Sequence, residues 1–320
     1  MALLCGALFP LVAIEGWTRA APEVIWRLAD TSGVRSPTRH GLVAEAVLSR
    51  WRHEGGAEVV VVGNSVARWA TNELLLSAGI DGFPKVSVLH LNHLTPVEAA
   101  MLAGDLAAAS PRVVIYMVTR WGAVSPVQLE SLRFLDLHAA RQLMDAATLW
   151  KEHAHLLSLL ARSQFFLLRH ARPILEISGE QLGLPLWEML SVVPDEPWLG
   201  TDLEETVFPT TQTPALRFLA RQLRQAEIPF VLVSPPVGMD SDPGRLTDAQ
   251  ARRHKEVQGA MDEWLTRMAE EEGFLYLASA RFGLYDPSSF QDPVHLGPAG
   301  QARFSMALAP FVDALLEAAP

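Results

Sequence analysis

A serine, a histidine and an aspartate stand in settings that suit nucleophilic chemistry. Ser65 ends the sequence Gly63-Asn64-Ser65, directly after Glu58-Val59-Val60-Val61-Val62, and more than two hundred residues later comes Asp292-Pro293-Val294-His295. A serine hydroxyl is a poor nucleophile near neutral pH. Acyl transfer through it needs an imidazole to take the proton and a carboxylate to fix the imidazole tautomer. Ser65, His295 and Asp292 are the candidates for nucleophile, general base and orienter. Each also has a plain structural reading: serine is a favoured helix cap, and an isolated Asp-x-x-His is a common surface-loop pattern. The combination and its order in the chain carry the catalytic reading.

Such residues need rigid elements to hold them. Four consecutive valines followed by Gly63 predict a buried strand of a parallel sheet ending in a tight turn. Helix-compatible sequence over Val66 to Ala78 follows, so Ser65 falls at a strand-to-helix junction, where ligands of open α/β sheets bind. Backbone N–H groups there can support a developing oxyanion. Asp292 and His295 lie in a loop stiffened by Pro293, Gly297, Pro298 and Gly300, ahead of an apolar helix over Gln301 to Leu316. Strand and helix signals alternate from Glu58 onward, as in a parallel α/β sheet. Later members are a helix over Leu216 to Ala226, a strand over Phe230 to Val233, a helix over Ala251 to Glu272 and a strand over Phe274 to Ala278.

On these motifs the chain resembles the SGNH/GDSL hydrolase superfamily. Gly63-Asn64-Ser65 stands where that family has Gly-Asp-Ser, and Asp292-Pro293-Val294-His295 matches its C-terminal Asp-x-x-His. More closely, the chain looks like the divergent membrane-anchored branch related to alginate and other envelope-polysaccharide O-acetyltransferase proteins. The second strand (Val86 to Leu91), the turn Asn92-His93-Leu94-Thr95-Pro96, the helix Val97 to Ala109 and the strand Val113 to Val118 follow that branch's order. The resemblance spans roughly residues 58–122 and 214–316. It implies a three-layer α/β sandwich with a central, mostly parallel sheet, and Ser65, His295 and Asp292 as the triad. It also asks for oxyanion donors from two further blocks. Asn92 is the nearest candidate for one, while Thr119-Arg120-Trp121-Gly122 replaces the other block's Gly-x-Asn-Asp, leaving Arg120 as a charged substitute or a salt-bridge residue. Asn64, beside the nucleophile, is the third oxyanion or substrate candidate. The α/β-hydrolase fold is the competing expectation, since Gly63-Asn64-Ser65-Val66-Ala67 is one residue short of Gly-x-Ser-x-Gly. That fold places several strands before the nucleophile, and here Ser65 follows the first.

Composition narrows the field. At 320 residues and a mean hydropathy of +0.16 the chain can bury a sizeable core. A net charge of -10 argues against nucleic acid as a partner, because such binding needs clustered Lys and Arg to displace counterions. The single cysteine, Cys5, excludes an intramolecular disulfide and a Cys-x-x-Cys zinc site. His90 with His93, and His153 with His155, do not stand in a His-Glu-x-x-His metal motif, and no dinucleotide or Walker pattern is present. No cofactor and no metal are therefore expected.

Met1 to Ile14 is apolar apart from Gly6 and Pro10, and Glu15, Trp17 and Arg19 follow. Fourteen helical residues reach about 21 Å, short of the roughly 30 Å hydrocarbon core. Residues 1–21 are read as a short membrane anchor or signal-like helix, with a buried helix as the alternative. Residues 22–320 form a single α/β domain on this reading, interrupted by a helical and loop insertion at about 126–214. Leucines and phenylalanines at helical spacing, from Leu129 to Leu168, and a Pro-rich stretch carrying Trp187 and Trp198 mark that insertion.

Two functions follow. One is serine-dependent acyl transfer or ester hydrolysis, with O-acetyl groups on a cell-envelope or secreted glycan as the substrate. The other is a noncatalytic module that binds glycan or protein in a polysaccharide modification or export complex. Partners are then an acylated carbohydrate or small ester, the membrane, and envelope-complex proteins. The anchor and the resemblance imply an extracytoplasmic location, periplasmic or cell-surface, with a cytoplasmic one as the alternative.

Overall fold

The structure, a computed structural model, describes residues 40–54, 56–91, 94–119, 212–238 and 248–318, with isolated positions 13, 16, 17, 21, 23, 26 and 27. The helix expected over 1–21 and the insertion expected over 126–214 lie outside the described residues, apart from those positions and residues 212–214. No helix among the described residues is long and apolar enough to cross a membrane. The chain divides into two compact units, one formed by Met1–Glu54, Gln128–Leu137 and Thr148–Thr201 and the other by Gly55–Val127, His138–Ala147 and Asp202–Pro320.

In the first unit the described helix is α1 (His40–His53), whose last turn carries Arg50, Arg52 and His53, charges that suit the negative end of the helix dipole. Leu48 and Trp51 are buried, and the Arg50 guanidinium lies over the Trp26 ring, 5.3 Å from its centroid.

Among the described residues the second unit is built on five parallel strands: β1 (Val59–Gly63), β2 (Val86–His90), β3 (Val113–Met117), β4 (Phe230–Val233) and β5 (Leu275–Leu277). Their spatial order is β2-β1-β3-β4-β5. The chain moves from β1 outward to β2 and then back past β1 to β3, so the winding direction reverses at β1. Among the described residues seven α-helices accompany the sheet: α2 (Ser65–Ala70), α3 (Glu73–Ala78), α4 (Pro96–Met101), α5 (Ala103–Ala109), α6 (Thr213–Gln225), α7 (Asp248–Glu272) and α8 (Pro298–Ala318).

Side chains alternate across each strand, which fixes two buried faces. Val59, Val61, Val113, Ile115, Met117, Val231 and Val233 share one core with Ala67, Ala70, Leu76, Phe304, Leu308 and Val312, from α2, α3 and α8. The intervening Val60, Val62, Val114, Tyr116 and Leu232 are equally buried on the other face. There α6 packs on α4, α5 and β4, and α7 packs on β5 and α6. Strands covered on both sides must be apolar throughout, which is why β1 reads as an unbroken valine run.

Two of the helices expected from the sequence are each divided in two. The span Val66 to Ala78 is divided, because Thr71 closes α2 and the Asn72 side chain accepts the Leu75 N–H at 3.1 Å, opening α3. Asparagine favours such local bonds over continuing a helix. The span Val97 to Ala109 is divided at Leu102, and α4 opens with a Thr95/Glu98 capping box in which Glu98 accepts the Thr95 N–H at 2.6 Å.

Candidate active site

Ser65 is the first residue of α2, at the carboxyl end of β1 and thus at the reversal of the sheet's winding, where doubly wound sheets place their ligands. The turn is tight. A Cβ on Gly63 would sit 2.5 Å from the Ala67 Cβ and 3.1 Å from the Met117 carbonyl oxygen, so only glycine lets α2 fold back this closely over the strand end. Asn64 is the helix cap: its Oδ1 accepts the Val66 N–H at 2.9 Å. The capping role that Ser65 could have filled belongs to its neighbour, and the serine hydroxyl is directed elsewhere.

It meets His295. The Ser65 Oγ lies 3.0 Å from His295 Nε2, and His295 Nδ1 lies 2.8 Å from Asp292 Oδ2. Asp292 uses its other oxygen differently: Oδ1 accepts the backbone N–H groups of Val294 and His295, each at 2.8 Å. One carboxylate thus folds the turn and orients the ring. The loop is closed at its base by an antiparallel bridge between Phe290 and Leu296, with the Gln291 N–H donating to the His295 carbonyl at 3.0 Å.

Burial acts to raise the Asp292 carboxyl, but the His295 ring and the two loop amides outweigh it, and its pKa is held below the usual carboxylate value. Ionised Asp292 accepts from Nδ1–H, which leaves Nε2 as the acceptor for the serine proton. The His295 and Asp292 side chains are 22% and 43% exposed, so the site opens to solvent.

Two contacts outside the motifs hold these parts in register. Gly238, which follows β4, packs against the Asp292/His295 loop: a Cβ there would lie 2.7 Å from the Asp292 carbonyl oxygen and 2.9 Å from that of Pro293. On the other side α8, which continues from the loop, is bonded to α2. Gln301 Nε2 donates to the carbonyls of Arg68 (3.1 Å) and Thr71 (3.0 Å), and Ser305 Oγ accepts the Asn72 N–H at 2.8 Å. The end carbonyls of α2, which lack helical partners, are satisfied by the helix that carries the histidine loop. Gly238, Gln301 and Ser305 were not read from the sequence as site residues.

Around the serine, Arg68 and Trp69 project from α2, and the Trp69 ring stands 6.4 Å from the His295 ring at 58°. The Arg68 guanidinium lies over the indole, 5.5 Å from its centroid. His90 ends β2 beside Gly63; burial and then the Arg68 charge lower its pKa, which favours the neutral ring.

Among the residues read from the sequence, Ser65, His295 and Asp292 are brought together, and Asn64 adjoins them with its oxygen engaged in the cap. Asn92, Arg120 and His93 lie outside the described residues, as do His153, His155, Trp187 and Trp198. Among the described residues no group of three His, Cys, Asp or Glu side chains could hold a metal ion.

No family model matches the chain. No curated protein matches it either. Among solved structures the chain is similar to a mutant of Axe2, an acetyl-xylooligosaccharide esterase from Geobacillus Stearmophilus, at 13% identity over 82% of this chain and 94% of that chain, with a TM-score of 0.38. A likeness that distant carries no assignment, and the reading of the site rests on its own geometry.

Proposed function

We propose that the protein is a serine-dependent esterase or O-acyltransferase, and that its substrate is an O-acetylated carbohydrate of the cell envelope or a secreted glycan. The observation that carries this reading is the unbroken hydrogen-bonded series from Ser65 Oγ through the His295 ring to Asp292, at 3.0 and 2.8 Å. Both distances lie within the reach a general base needs.

In this reaction the Ser65 oxygen attacks the ester carbonyl carbon while His295 Nε2 takes its proton. Asp292 stabilises the imidazolium without becoming protonated itself. The negative charge collects on the former carbonyl oxygen, with the start of α2, Asn92 and Arg120 as the groups proposed to receive it. Collapse of the intermediate expels the alcohol oxygen, which takes the proton from Nε2, and leaves an acyl group on Ser65. A water or a second hydroxyl, deprotonated by His295, then attacks that acyl carbon and frees the serine. Water gives hydrolysis; a carbohydrate hydroxyl gives transfer. Attachment to a membrane through residues 1–21, facing away from the cytoplasm, completes the proposal, and recovery of the full chain in the membrane fraction of its host tests that part.

The chemistry is tested on purified protein with p-nitrophenyl acetate and a fluorophosphonate serine probe. Acetate release and labelling are expected for the parent, and neither for Ser65→Ala. Equal rates from both proteins, each shown folded by circular dichroism, would reject the enzyme and favour a binding module.

A further inference from the structure

We propose that Trp69, braced by Arg68, forms the subsite for the alcohol half of the ester, and that this alcohol is a carbohydrate ring. The inference rests on the reading of Ser65 as nucleophile. Ser65, Arg68 and Trp69 stand at i, i+3 and i+4 of α2, one above another on the same face, while Val66, Ala67 and Ala70 face the core. Trp69 is 37% exposed, in contrast to Trp51 and Trp264 at 6% and 7%, so core packing does not account for it. An indole left in water next to the candidate general base has apolar surface to offer a ligand.

The chemistry fixes which half of the ester comes here. The leaving oxygen must take its proton from His295 Nε2, so the body of the alcohol lies beside the imidazole, and the Trp69 ring stands 6.4 Å from that imidazole. A pyranose suits the pair of side chains that line this place. Its C–H face covers an indole, and its hydroxyl edge accepts from a guanidinium, which has five N–H donors and no acceptor. The Arg68 head makes no ion pair among the described residues, and its position over the indole fixes both side chains in advance of the ligand. A simple alkyl alcohol would use neither the width of the indole nor the guanidinium.

The test compares kcat/KM for a mono-O-acetylated methyl pyranoside with kcat/KM for ethyl acetate, in the parent, Trp69→Ala and Trp69→Phe proteins. The pyranoside-to-ethyl ratio is expected to fall at least tenfold in Trp69→Ala and to recover largely in Trp69→Phe. A ratio that stays constant, including equal losses on both esters, overturns the subsite and leaves Trp69 as a support for His295. If the parent cleaves neither ester, the reaction itself is wrong, and the subsite is judged by calorimetric titration of the same pyranoside ester into Ser65→Ala. Binding that weakens at least fivefold in Ser65→Ala/Trp69→Ala upholds it; equal affinity, or no binding to Ser65→Ala, overturns it.

Discussion

Asp292 performs two tasks with two oxygens, and substitution separates them. In Asp292→Asn the side-chain oxygen can still accept the Val294 and His295 amides, but the amide nitrogen donates where His295 Nδ1–H needs an acceptor. The imidazole is then driven toward the tautomer that cannot take the serine proton. We expect kcat for p-nitrophenyl acetate to fall by about 10² to 10⁴ with the fold retained, as read from initial rates and circular dichroism. Ser65→Ala removes the proposed nucleophile at little structural cost: because Asn64 is the cap, only one solvent-open hydrogen bond is lost, about 1 kcal/mol in urea unfolding. A drop several times larger would mean that Ser65 is structural. The Asp292 carboxyl titrates lower in the folded chain than in the unfolded one, so its pairing is complete above the ordinary carboxylate range and is lost only as pH falls through the depressed value. The carboxyl ¹³C shift of Asp292, followed by NMR down to acid pH, is expected to place its midpoint below the ordinary aspartate value.

Three elements meet at the histidine loop, and two of their contacts involve single atoms. Gly238→Ala forces a methyl group against two backbone carbonyls that have no side-chain freedom to yield. The loop must shift, and a displacement near 1 Å between reacting groups costs on the order of 10² in rate. We expect kcat to fall at least tenfold with KM less affected, whereas Gln301→Ala, on the α2–α8 contact, should lower thermal stability through two uncapped carbonyls. Steady-state kinetics and melting curves distinguish the two. These contacts also mark how far the sequence could be read. The valine run, the order of strands and helices, and the Ser, Asp, His order were legible because buried parallel strands leave an apolar signature and the motifs are local. The breaks at Thr71-Asn72 and at Leu102 were not, since a side-chain cap inside a helical pattern leaves the periodicity intact. Nor could a glycine needed for space at 238 be told from a turn glycine, because the carbonyls that require it belong to residues 292 and 293.

At the scale of the whole molecule, the helices that close the far face are held by charge as well as by burial. Glu272, at the end of α7, is buried and accepts from Arg221 (2.6 and 2.8 Å) and Arg217 (2.7 Å) on α6, and the Arg221 hydrogen bond above all brings its pKa down to about 2. The unfolded chain binds this proton near the ordinary glutamate value of about 4.3, so between there and about 2 the unfolded state holds more protons and stability rises with pH. The contribution, on the order of 2 to 3 kcal/mol, is present in full above pH 5 and gone below 2. Glu272→Gln is expected to flatten urea-derived stability across this acid range relative to the parent; an unchanged slope would show that the cluster is not coupled to folding. The proposed triad has a different dependence on the whole. Ser65 and His295 are 230 residues apart in the chain, so loop-closure entropy opposes their meeting, and we expect this contact to close late in folding. On the proposed reading a partly folded chain would then hold an inert alcohol rather than an activated one, protected from adventitious acylation until α8 has docked on α2. During refolding from urea, reactivity toward a serine probe becomes a clock for that docking, with labelling expected no earlier than recovery of the native near-ultraviolet signal.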